Sequence, residues 1–137
     1  KMSKSDESGY SRINLKDTAD EIVKKIKKAK SDSLAIPESL KELESKPEAL
    51  NLLNIYTDIS KSSLEKTLKE MKGKNYSFLK NKLTDVLIET ICPIGKNIKE
   101  LLGDKVFLER VINEGSEKAS KIAENNLKEI KKTVGLL

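Results

Sequence analysis

Histidine is absent from this 137-residue sequence, and cysteine occurs once. The first absence removes the commonest general base and metal ligand, so any chemistry here rests on lysines, carboxylates or hydroxyls and no metal site is expected. The second excludes an intrachain disulfide and points to a reducing compartment. Cys92 itself lies in the apolar run Ile91-Cys92-Pro93-Ile94 and reads as a small core residue. Aromatic residues make up only 4% of the chain, so a core must be built from Ile, Leu, Val and Ala, a composition that suits helices better than sheets. No apolar run approaches the eighteen or so residues that a membrane span needs, and the N-terminus has no signal-peptide core. A cytoplasmic protein with no membrane partner is the expectation.

What the chain has in abundance is charge, 36% of residues with a net +5. Arg12 and Arg110 are the only arginines, and lysine supplies the rest of the positive charge. The charges are interleaved with apolar residues at helical spacing, a pattern that folds. A positive balance is compatible with a polyanionic partner, because ammonium groups displace counterions from phosphates. The length is that of one ordinary domain with room for a core.

Residues 1–9 read as a loop, and Ser11-Arg12-Ile13-Asn14-Leu15 alternates enough for a short strand or extended segment. Helices follow. Thr18 with Glu21 forms a capping pair ahead of Ile22, Ile26 and Ala29, with Lys24, Lys25, Lys27 and Lys28 largely on the solvent side. Residues 36–45 form a polar connection with room for one helical turn after Pro37. Pro47 suits the first position of a helix running to about Ile59. Ser62 with Glu65 predicts the next helix, which Gly73 stops. From Leu79 to Leu102 the apolar residues keep helical phase across Pro93, which predicts a kink or two abutting helices. Asp104 caps a successor that Gly115-Ser116 is expected to break or restart. The last helix is expected to carry Ala119, Ile122, Ala123, Leu127, Ile130 and Val134 inward and to end at Gly135. Tyr76 and Phe78 read as core residues, with base stacking as the alternative. The fold class is all-α: a helical bundle preceded by a short extended arm.

The opening pentapeptide Lys1-Met2-Ser3-Lys4-Ser5 places two ammonium groups and two hydroxyls in a loop. This KMSKS motif resembles the signature loop of the class I aminoacyl-tRNA synthetases. The resemblance continues through Asp17-Thr18, the basic stretch from Lys25 to Ala29, and Lys46-Pro47-Glu48-Ala49-Leu50-Asn51-Leu52-Leu53. It ends in Gly115-Ser116-Glu117-Lys118-Ala119, Asn126-Leu127 and Gly135-Leu136. Over this span the chain is most similar to the bacterial tryptophanyl-tRNA synthetases, with Ser31 and Ser116 standing where that family more often has threonine and alanine.

The resemblance implies that Lys1 and Lys4 stabilise the charge that develops on departing pyrophosphate. Lys1, Met2, Ser3, Lys4 and Ser5 together would hold the ATP phosphates. It further implies an anticodon-binding helical domain in residues 17–137, after an arm, residues 1–16, that belongs with a nucleotide-binding domain ahead of Lys1. Expected partners are tRNA(Trp), L-tryptophan and ATP with Mg2+, in a homodimer of the full-length enzyme formed through that preceding domain. Lys24, Lys25, Lys27 and Lys28 are the candidate tRNA-binding residues. The fragment alone is expected to be inactive. The alternative is a small basic all-helical RNA-binding or protein-interaction module without catalytic activity.

Overall fold

The computed structural model describes residues 7–31 and 35–136, and the pentapeptide of residues 1–5 lies outside them. Among the described residues there are six α-helices, one short 3-10 helix and no strand. The all-α class expected from composition is what forms. The chain falls into two compact units that meet between Lys96 and Asn97.

In the first unit the arm makes a 3-10 turn over Gly9–Ser11 and is extended at Arg12. Helix α1, Ala19–Lys28, starts on a reciprocal cap. The Thr18 hydroxyl accepts from the Glu21 N–H at 3.4 Å, and the Glu21 carboxylate accepts from the Thr18 N–H at 2.7 Å. Two of the donors orphaned at a helix start are thereby satisfied. Helix α1 buries Ile22 and Ile26. Its far end is closed from a distance, because Lys80 Nζ donates to the carbonyls of Lys27 at 3.2 Å and Ala29 at 2.7 Å. A cation at the negative end of the helix dipole is well placed.

The connection to the rest of the core is held by backbone. Ile36 donates to the carbonyl of Lys74 at 2.9 Å and accepts from the Gly73 N–H at 3.1 Å. Gly73 has φ +69, a conformation that costs glycine little. Between these contacts lie α2, Leu40–Glu44, and α3, Pro47–Ser60, whose first residue is the proline expected there.

Helix α4, Leu64–Met71, is capped one residue later than the sequence pattern suggests. The Ser63 hydroxyl accepts from the Lys66 N–H at 3.3 Å. Ser62 faces the other way, 2.7 Å from the buried Thr67 hydroxyl and 3.0 Å from Ser60. Satisfying that inward hydroxyl outweighs the local Ser62–Glu65 pattern.

Helix α5, Tyr76–Gly103, runs unbroken through Pro93, so two abutting helices do not form. The proline removes the bond to the carbonyl of Glu89, and both residues are exposed, so the loss falls on the solvent side of the helix. Tyr76, Leu79, Leu83 and Leu87 of α5 join Ile22, Leu43, Leu53, Leu68 and Met71 in one buried cluster, with Cys92 packed against it. Tyr76 is therefore core, as expected, whereas Phe78 is 38% exposed.

In the second unit, Asp104 accepts from the Phe107 N–H at 2.9 Å and starts α6, Lys105–Thr133. No break occurs at Gly115-Ser116. One glycine costs a helix only about 1 kcal/mol, and the flanking turns absorb it. The helix ends at Gly135, φ +74, where Leu136 donates to the carbonyl of Lys131 and Gly135 to that of Lys132. The residues expected to point inward do not become core: Ile122, Leu127, Ile130 and Val134 are all exposed. Among the described residues no helix is long and apolar enough to cross a membrane.

Candidate functional site

The arm that follows the pentapeptide is fastened mainly by polar contacts. Ser8 accepts from the Tyr10 N–H at 3.4 Å, and the Ser11 hydroxyl donates to the Ser8 carbonyl at 3.1 Å. Tyr10 is half exposed, with Lys28 Nζ 4.0 Å above its ring, within cation–π range. Leu15 is also half exposed, and only Ile13 reaches the core.

The arm ends on a polar hub. Asp17 turns back on its own chain: its carboxylate accepts from the Asn14 N–H at 2.8 Å and from the Asn14 side-chain amide at 3.2 Å, while its N–H donates to the Asn14 carbonyl at 3.0 Å. Lys25, two turns into the sequence of α1, donates to the same carboxylate. The side chains of Lys25 and Asp17 are only 12% and 8% exposed. Burial alone would raise the pKa of Asp17; the hydrogen bonds from Lys25 and Asn14 outweigh it and hold the carboxyl below its ordinary value.

A second fastening comes from α5. A Cβ on Gly95 would lie 2.8 Å from the carbonyl oxygen of Leu15 and 3.6 Å from Cα of Lys16. No residue but glycine lets the arm backbone come this close.

The residues singled out from sequence are distributed as follows. Lys1, Met2, Ser3, Lys4 and Ser5 lie outside the described residues. Lys24 and Lys27 are exposed on α1, Lys28 is exposed above Tyr10, and Lys25 is engaged by Asp17. Among the described residues no three carboxylates or thiols converge as metal ligands would. Asp17, Asn14, Gly95 and Lys80 carry structural weight that charge patterning did not assign them. The Asn14-x-x-Asp17 spacing is a visible turn signal, whereas the partners Lys80 and Gly95 come from more than fifty residues away and leave no local trace.

The family model described as tRNA synthetases class I (W and Y) matches residues 1–92, which include the pentapeptide, the arm, its hub and most of α5. The chain belongs to this family. Its relatives are more particular. A tryptophan–tRNA ligase of Mesorhizobium japonicum is 43% identical over 137 residues, all of this chain and 39% of that protein. One from Caulobacter vibrioides is 42% identical over 135 residues, 98% of this chain and 39% of its own length. One from Rickettsia felis is 42% identical over 137 residues, all of this chain and 41% of its own. The chain thus spans about two fifths of the curated relatives it matches.

Proposed function

We propose that this chain is the part of a tryptophan–tRNA ligase that grips the phosphates of ATP and presents a helical surface to tRNA(Trp). The observation that carries the reading is the end-to-end similarity to tryptophan–tRNA ligases, at 43% identity in one of them, in a chain that opens on the KMSKS loop. The anchored arm supports it, because a loop that must meet a triphosphate needs a fixed base.

In this reading Lys1 and Lys4 act when the carboxylate of tryptophan attacks the α-phosphorus. The bond to the bridging oxygen breaks, pyrophosphate leaves with the electron pair, and tryptophanyl adenylate remains. Their ammonium groups stabilise the charge that builds on the leaving oxygens more than they stabilise bound ATP, which lowers the barrier. Ser3, Ser5 and the backbone of Met2 complete the phosphate cradle. Mg2+ accompanies ATP; among the described residues no group of three carboxylates or thiols gathers to hold it, and no step here passes through it. Lys24, Lys27 and Lys28 offer phosphate contacts to tRNA, with Lys25 held by Asp17. Residues 1–16 act with a nucleotide-binding domain, and residues 17–137 form the tRNA-binding part. The full-length protein is a cytoplasmic homodimer, and this chain alone forms no adenylate.

The test is amino-acid-dependent exchange of pyrophosphate into ATP by the full-length protein. Exchange with tryptophan and not with tyrosine is expected. Exchange with another amino acid overturns the assignment, and no exchange at all favours a binding module without catalytic activity.

A further inference from the structure

The arm has an unusual construction for a segment that must hold its place. Tyr10 and Leu15 are each 52% exposed, so the arm's apolar packing on the core rests on Ile13. Directional contacts at three points add to that packing: Tyr10 beneath Lys28, the Leu15 carbonyl against Gly95, and Asp17 held by Asn14 and Lys25. The first and third partners lie one turn apart on α1, so the arm is laid along that helix. The second pins it from α5.

A buried ion pair adds little net stability over an apolar pair of the same size, since desolvation offsets the attraction. What it adds is geometry, because an ammonium and a carboxylate accept few alternative arrangements without leaving a charge unpaired. Gly95 does the same by steric exclusion: the arm backbone fits at one distance, and a single added methyl displaces it.

We infer that Asp17 and Gly95 are positioning residues for the phosphate-holding lysines: they fix the base from which residues 1–5 reach ATP. The inference rests on the synthetase reading given above. Neither residue touches substrate; both act through the arm. Loss of either lets the base shift, so Lys1 and Lys4 meet the leaving pyrophosphate in the wrong place, and misplacement on the order of 1 Å is enough to cost a large factor in rate.

The experiment is a double-mutant cycle in the full-length protein, read by tryptophan-dependent pyrophosphate exchange. Asp17→Asn and Gly95→Ala are each made alone and in a Lys1→Ala/Lys4→Ala background. Fold is checked by far-ultraviolet circular dichroism and by tryptophan binding; Gly95→Ala keeps the question answerable if Asp17→Asn fails to fold, and the reverse. Each single substitution is expected to lower kcat at least tenfold with tryptophan KM unchanged. In the background lacking both lysines the same substitution should change the residual rate less than twofold, because there is no longer a correctly placed pair to lose. Asp17→Glu, which keeps the charge, should recover part of the rate.

A merely structural role predicts something else: equal factors in both backgrounds, with tryptophan binding falling in step, and that result overturns the inference. So does a rate unchanged by Asp17→Asn or Gly95→Ala. If removing the two lysines itself leaves exchange undiminished, it is the synthetase reading of the loop that fails, and the positioning role falls with it.

Discussion

At the scale of single residues, Asp17 is where the arm, the first helix and the charge balance meet. Converting it to asparagine preserves its shape and its acceptance of the Asn14 N–H, but leaves Lys25 without a counter-charge in a site that is mostly closed to water. Breaking one side of such a pair costs about 3 kcal/mol, and urea unfolding of Asp17→Asn should show a loss of that order. The pH dependence follows in sign. The carboxyl sits below its ordinary value of 3.8 in the folded protein, so the unfolded chain binds more protons through that window and stability rises with pH. The stability due to Asp17 is therefore complete above about pH 5 and drains away as pH falls through 3.8 toward the lower folded value. Unfolding midpoints measured between pH 3 and 6 should show this acid-side loss in the native chain and a smaller one in Asp17→Asn. An identical profile in both would remove Asp17 as the cause.

At the scale of elements, what was legible in the sequence is what is local. The Thr18–Glu21 cap, Pro47 at a first position, the Asp104 cap and the Gly135 stop are all spacings of four residues or fewer, and all form as read. Thr18→Ala deletes the hydroxyl that accepts from the Glu21 N–H and donates to the Glu21 carboxylate, leaving only the Thr18 N–H on that carboxylate, and should destabilise the first unit by about 1 kcal/mol, read as a shift in denaturant midpoint without a change in slope. No shift would mean that Lys80 at the far end, not the cap, sets the stability of α1. Where reading failed, a long-range or distributed term won. Ser62 forms the right pattern with Glu65, but its hydroxyl is taken by the buried Thr67. Gly115 looks like a break because it weakens a helix, yet it does not weaken it enough to offset the continuous turns around it; of the two forms read for Pro93, a kink or two abutting helices, the second does not form. The anchoring of the arm was illegible for the same reason: apart from the local Asn14–Asp17 turn, its contacts join residues as far apart as Leu15 and Gly95.

At the scale of the whole molecule, the two units differ in what holds them. The first buries a continuous cluster from Ile22 to Leu87. The second, from Asn97 onward, has no buried residue among those described, and its long helix exposes Ile112, Ile122, Leu127, Ile130 and Val134. Local stability follows buried contacts. Amide hydrogen exchange on this chain should therefore find the amides of residues 79–87 among the slowest and those of α6 faster by orders of magnitude. Equal protection in both would show that another surface covers α6 in solution.

In the function proposed above, the two amines at residues 1 and 4 act on the departing pyrophosphate more than on resting ATP. The most direct measurement is single-turnover adenylation by the full-length protein, in which the rate of the chemical step and the Kd for ATP are separated, with and without Lys1→Ala/Lys4→Ala. The account predicts that the rate falls by a hundredfold or more while ATP affinity changes less than tenfold. A rate unchanged after both amines are removed would contradict it.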